Sequence, residues 1–188
     1  MRIIAGKLKG TNLLIPKDKN TRPLKDITRE SIFNLLIHSK KISFQFENSN
    51  ILDLYAGTGS FGLECLSRKV KSVSFVEKNK KAFQILKKNI EKLDLNNETK
   101  IFYDDVLRII KKKKIKSKFD LIFCDPPFID NNVKQLITLI FNTKLLEKNG
   151  TIILHRKKTT KEELPDYFKI LDERVYGLSK IIFGNFLS

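Results

Sequence analysis

Four carboxylates follow apolar runs at intervals that would place them at strand ends: Asp53 in "NILDLY", Glu77 in "SVSFVE", Asp105 in "IFYDDV" and Asp125 in "FDLIFCDPPFID". Between the first two lies "AGTGSFG", in which Gly57, Gly59 and Gly62 have G-x-G-x-x-G spacing. Glycines permit a tight strand-to-helix turn and let a ligand approach the backbone at the helix N-terminus. Alone this pattern is weak, because a structural glycine turn reads the same way. Glu77 strengthens it: it ends the second run 18 residues after Gly59 (77 − 59), where a carboxylate can accept both hydroxyls of a ribose. Together they indicate a nucleoside-type cofactor, with Tyr55, Gly57 and Gly59 as candidate walls of its pocket. Asp53 selects among such cofactors. An acid before the loop repels a pyrophosphate but attracts ammonium and sulfonium groups where water is scarce, which fits S-adenosylmethionine. Asp105 is a candidate acceptor for the adenine amino group, with Asp104 as the alternative.

The second constellation is Asp125-Pro126-Pro127-Phe128. Prolines lack an amide hydrogen and fix φ, so the turn is stiff and its carbonyls are left to accept hydrogen bonds. Asp125 and the Pro126 carbonyl form two adjacent acceptors, which suits an exocyclic amino group with two hydrogens to give, and Phe128 offers a flat face to a planar base. The stretch reads as a clamp for an aromatic amine; the plainer alternative is a proline turn that buries Phe128. A pyrimidine C5 mechanism would need a nucleophilic cysteine. Cys124 alternates away from the Asp125 side and Cys65 falls in the helix after the glycines, so both are expected to be core thiols. His38 and His155 are isolated in the sequence; both are expected at solvent edges or in loops, and no metal site is expected.

These residues need a scaffold that gathers strand ends. From Ile51 onward apolar runs alternate with amphipathic stretches: "NILDLY" then Phe61 to Arg68, "SVSFVE" then Lys80 to Leu93, "TKIFY" then Val106 to Lys112, "FDLIFCD" then Val133 to Leu146, and finally "GTIILH". Such alternation predicts βαβ units and a mostly parallel sheet covered on both faces. Tyr167 to Tyr176 and Ser179 to Phe186 read as an antiparallel pair around Gly177 at the sheet edge. Ahead of the α/β region, "RIIAGKLKGTNLLIP" predicts a β-hairpin about Gly6 and Gly10, and "DITRESIFNLLIH" a helix with Asp26 or Thr28 as cap. The chain divides into a hairpin-and-helix extension over 1–48 and a main domain over 49–188.

A net charge of +16 on 188 residues suggests a polyanionic partner, since basic surface gains affinity by releasing counterions from phosphates. Lysine dominates throughout, so part of this charge is compositional, and "KKKK" at 111–114 reads as a solvated helix end. No apolar run is long enough to cross a bilayer. Met1-Arg2 leads straight into an alternating pattern without a signal or transit segment, so the cytoplasm is the expected compartment.

"DLYAGTGSFGLECLSR", "FVEKN" and "DPPF" resemble the Rossmann-like class I methyltransferases, and the tetrapeptide resembles that of N-methyltransferases acting on amino groups of nucleic acids. With "RIIAGKLKG" and "TRPLKDITRESIFNLL", the chain resembles along nearly its whole length the RsmD family of bacterial 16S rRNA guanine-N2 methyltransferases. The resemblance implies a seven-stranded, mostly parallel sheet, S-adenosylmethionine as methyl donor, and a flipped guanine of 16S rRNA, free or in an assembling small subunit, as acceptor. Asp125, Pro126 and Phe128 would then be catalytic. The extension would face RNA, with Lys7, Lys9, Arg22, Lys25 and Arg29 gripping phosphates. His155-Arg156 departs from the pattern, standing where the family would have an acid. The rival functions are a DNA adenine or protein-glutamine N-methyltransferase, and a non-catalytic RNA-binding assembly factor.

Overall fold

Apolar runs from residue 50 onward become a seven-stranded sheet in the computed structural model, which describes residues 1–16 and 26–187. In chain order the strands are β1 (Asn50–Leu54), β2 (Ser72–Glu77), β3 (Thr99–Tyr103), β4 (Phe119–Cys124), β5 (Leu146–Lys157), β6 (Phe168–Tyr176) and β7 (Ser179–Phe186). They lie side by side as β3-β2-β1-β4-β5-β7-β6. The first five pair in parallel, and β7 inserts antiparallel between β5 and β6. Helices α2 (Ser60–Ser67), α3 (Lys80–Lys92), α4 (Val106–Lys111) and α5 (Val133–Asn142) carry the parallel crossovers, and α1 (Asp26–His38) precedes the sheet. The expected α/β class, strand count and C-terminal antiparallel pair are all present.

The central strands are apolar on both faces because helices cover both. Leu52, Leu54, Ile122 and Cys124 join a core with Ile109 of α4 and Ile137 of α5. Ile51, Leu121 and Phe123 join the opposite core with residues of α1, α2 and α3. A column of rings crosses that second core: Phe33 of α1 stacks on Phe61 of α2 at 5.2 Å, and Phe61 on Phe123 of β4 at 4.0 Å. Each such pair adds roughly 0.5–1.5 kcal/mol beyond the area it buries.

Residues of the N-terminal extension share this core, with Ile3, Leu13, Ile32 and Leu36 buried in it. The expected hairpin is present as an irregular turn with a single bridge, Arg2 to Asn12. The reason is that the amides of Ile4, Ala5, Lys7 and Leu8 bond α2 instead of an opposing strand. The buried carboxylate of Glu64 on α2 accepts the Ile4 and Ala5 N–H groups at 2.7 and 2.9 Å. Gly6, at φ +81°, lies so close to α2 that a Cβ there would meet the Ser67 carbonyl oxygen at 1.9 Å.

Helix α5 ends four residues before the expected Leu146. Lys144 takes a left-handed conformation (φ 54°), and the Leu145 N–H reaches back to the Ile140 carbonyl at 3.2 Å. This helix-stopping turn is usually marked by glycine; here a lysine fills it, and Leu145 and Leu146 pass into the core and β5. Among the described residues no helix is long and apolar enough to cross a membrane.

Strand order reverses at β1, whose neighbours are β2 and β4. In open parallel sheets the crevice beyond the carboxyl ends of the strands at such a reversal is where ligands bind.

Candidate active site

On the β1–β2 side of the crevice the carboxylates are held by backbone. Glu77 closes β2, where its two oxygens accept the Gly57 N–H at 2.7 Å and the Asn79 N–H at 2.6 Å. Asp53, in register with Phe123, accepts the Gly62 N–H at 3.0 Å and is 1% exposed. Burial pushes its carboxyl up to about 8; the Gly62 N–H opposes that rise, and the charges of Asp125 and Glu77 add to it. Gly57 and Gly59 have φ of +57° and +85°, and Tyr55 before them is also left-handed at +59°. A Cβ on Gly59 would lie 2.4 Å from Leu86 Cδ1 of α3, whereas among the described residues no atom other than those of its chain neighbours is within 4 Å of the Cβ position at Gly57. Gly59 therefore allows close packing, and Gly57 borders open space. Asp105 caps α4, accepting the Arg108 N–H at 3.2 Å and the Lys78 ammonium at 3.1 Å. Burial raises its carboxyl, but these hydrogen bonds outweigh that and hold it below the usual range. Asp104 is engaged by Arg108 and Lys114.

These residues fit S-adenosylmethionine. A carboxyl that burial and like charges drive toward neutrality is stabilised in its ionised form by an incoming cation, and the open face at Gly57 leaves room beside the Glu77 carboxylate.

On the β4–β5 side, side chains hold the loop. Asp125 follows β4, and its N–H donates to the Leu54 carbonyl at 3.3 Å. Its Oδ1 lies 2.8 Å from Nδ1 of His155, whose Nε2 is 2.9 Å from Ser179 Oγ at the start of β7. Phe128 meets the His155 ring edge-on, 5.4 Å between centroids. Arg156, fully buried, pairs with Glu162 and aims its guanidinium at the carbonyls of Pro127 and Asp130, at 3.0 and 2.7 Å, and more distantly at those of Phe128 and Pro126, at 3.4 and 3.5 Å. Carbonyls expected to be free thus face a buried cation, and that of Pro126 is the least engaged.

The structure gathers Asp53, Tyr55, Gly57, Gly59, Glu77, Asp105, Asp125, Pro126 and Phe128 around the carboxyl ends of β1 to β4. Lys7 and Lys9 are exposed on the N-terminal turn, while Arg22 and Lys25 lie outside the described residues. Arg29 corrects the expectation placed on it: it is fully buried, bonding the Arg2 carbonyl and Asp26, so it secures the N-terminal turn to α1 and does not reach a phosphate. His155 is the second correction. Expected in a loop or at a solvent edge, it lies inside β5 at 6% exposure. His155, Arg156, Glu162 and Ser179 were missed as site residues; the only available signal was a His-Arg pair ending an apolar run. Burial pushes the thiols of Cys65 and Cys124 well up, so neither is a ready nucleophile.

A parallel sheet that reverses at β1, a glycine turn after β1 and acidic residues at the ends of β1, β2 and β4 define the class I S-adenosylmethionine-dependent methyltransferase fold. A solved structure titled "putative methylase HI0767" from Haemophilus influenzae matches with a TM-score of 0.80 at 30% identity, covering 100% of this chain and 98% of that one. The chain belongs to the family described as conserved hypothetical protein 95, the RsmD family, whose model matches residues 1–185. Relatives named ribosomal RNA small subunit methyltransferase D include one from Haemophilus influenzae, 32% identical over 95% of this chain and 90% of its own length. Another, from Buchnera aphidicola of Acyrthosiphon pisum, is 35% identical over 92% of this chain and 86% of its own.

Proposed function

We propose that this protein transfers the methyl group of S-adenosylmethionine to the exocyclic N2 of a guanine in 16S rRNA, free or within an assembling small subunit in the cytoplasm. The observation that carries this reading is Asp125 directly after β4, at the same strand-end crevice as Asp53 of β1 and Glu77 of β2, with the Pro126 carbonyl, the least engaged of those facing Arg156, as the second acceptor of the reading. The names of the relatives support an RNA acceptor.

The bound cofactor supplies an electrophilic methyl on a positively charged sulfur. Asp53 would hold its cationic end and Glu77 its ribose, with Gly57 and Gly59 admitting it to the backbone and Tyr55 and Asp105 on the adenine side. The guanine N2 lone pair is delocalised into the ring, which makes it a poor nucleophile. Hydrogen bonds from its two hydrogens to Asp125 and the Pro126 carbonyl return electron density to nitrogen and aim it, while Phe128 supports the flipped base. As N2 takes the methyl that the bound cofactor would supply, Asp125 would accept the proton that N2 loses. Orientation supplies several orders of magnitude of rate and fixed charges much of the rest. Lys7 and Lys9, with Arg22 and Lys25, grip phosphates around the base.

The test maps methylated nucleotides in rRNA from cells with and without the protein, alongside transfer assays on 16S rRNA, adenine-containing DNA and a glutamine peptide. A protein-dependent N2-methylguanine in 16S rRNA is expected. Transfer only to DNA or peptide, or none despite cofactor binding, overturns the reading.

A further inference from the structure

We propose that His155 is a positioning residue for the acceptor step, locking Asp125 through a hydrogen on Nδ1 that Ser179 helps to fix from the other side of the ring. This rests on reading Asp125 as the acceptor of the amine. An ionised carboxylate only accepts hydrogen bonds, so the 2.8 Å contact from His155 to Asp125 Oδ1 requires hydrogen on Nδ1. A neutral ring then carries its lone pair on Nε2, where the Ser179 hydroxyl donates across 2.9 Å.

The arrangement has three consequences at Asp125. Oδ1 is occupied, so Oδ2 is left for the amine. Rotation of the carboxylate about its last bond is restrained by that contact, so the orienting acceptor is held before the base arrives. The same ring backs the aromatic wall, since Phe128 meets it at 79°. The device depends on sheet order: Asp125 follows β4, His155 lies on β5, and Ser179 begins β7, which is inserted next to β5. A histidine filling core space would need no catalytic carboxylate as its partner.

Two measurements test this. The chain has 2 histidines, so a ¹⁵N-histidine NMR spectrum contains two rings, and His155 is expected to carry hydrogen on Nδ1 in the parent protein and to lose that signature in Asp125→Ala. A ring with hydrogen on Nε2 alone in the parent protein overturns the proposal without reference to activity. In single-turnover transfer to 16S rRNA, His155→Leu should lose ~30-fold in rate with S-adenosylmethionine affinity within about twofold. His155→Asn, which restores an N–H donor near the Nδ1 position, should recover most of that loss. In an Asp125→Ala background His155→Leu should cost nothing further, because its effect passes through the missing carboxylate. Additive losses, or a loss of rate and cofactor affinity in parallel without rescue by Asn, show a packing role and overturn the proposal. If the parent protein fails to methylate guanine N2, the functional reading falls while the NMR result still decides this one.

Discussion

The two sides of the crevice hold their carboxylates by different means. On the cofactor side, Glu77 and Asp53 are gripped by backbone N–H groups of Gly57, Asn79 and Gly62, from 2 to 20 residues away in sequence. On the acceptor side, Asp125 and its loop are gripped by the side chains of His155 and Arg156, from 26 to 30 residues away, with Ser179 a further 24 beyond His155. Any residue but proline supplies a backbone amide, so the first side needs only correct turns, which Gly57, Gly59 and Gly62 provide. The second needs particular side chains on particular strands. Outside these glycines the cofactor side should therefore tolerate substitution around it, and the acceptor side should fail when one distant residue changes.

The sharpest test of this separation is Asp125→Ala. Turnover should fall by ~10³-fold while calorimetry finds S-adenosylmethionine affinity nearly intact; a joint collapse would mean the two sides are one unit. Next is Arg156→Met. Glu162, 7% exposed in its side chain, would be left as a buried charge without its partner, costing about 3 kcal/mol and lowering the thermal midpoint by roughly 10 °C. Arg156→Lys should recover little, because one ammonium cannot span Glu162 and the loop carbonyls. Unchanged melting in Arg156→Met would show that the loop holds itself.

A smaller effect concerns pH on the cofactor side. With its carboxyl raised to about 8 from 3.8, Asp53 keeps its proton in the free protein at neutral pH. A cationic ligand favours the ionised form, so affinity for S-adenosylmethionine should rise with pH by at most about tenfold per unit and level off above about 8. Asp53→Asn should remove this component, as the difference between the two titrations shows. In the free protein the same group makes stability fall as pH climbs from the ordinary carboxylate range toward 8, because the folded state keeps a proton the unfolded chain has released. The smallest effect is expected at the N-terminal turn. Replacing Lys7 and Lys9 by Gln should spare cofactor affinity and flatten the salt dependence of RNA binding by roughly one unit of slope per lost phosphate contact; identical slopes would remove these lysines from the interface.

This contrast also explains what could be read in advance. Gly57, Gly59 and Glu77 announce themselves because turn geometry and strand ends are local properties, and the seven strands follow from apolar runs between helical stretches. His155 does not, since its meaning comes from β7 lying beside β5, and no local pattern states that order. Arg29 misleads because an arginine one turn into a helix looks solvent-bound until the Arg2 carbonyl is placed against it. The end of α5 was overrun because Lys144 occupies the turn where glycine would have marked the stop.

The anchors of the N-terminal turn have a consequence for synthesis. Ile4, Ala5, Leu8 and Leu14 are held by Glu64, Ser67 and Asn89, from 59 to 75 residues downstream. At roughly 5–20 residues per second, the N-terminal turn waits about 3–15 s after its own synthesis for its seat to exist. Further along, β6 pairs, among the described residues, with β7 alone, the strand that follows it. The cofactor side can thus assemble before β7 exists, while the acceptor side, which needs Ser179, closes only after β7 has been made. Proteolysis of stalled nascent chains checks this timetable: the N-terminal turn should stay cleavable until Asn89 has emerged.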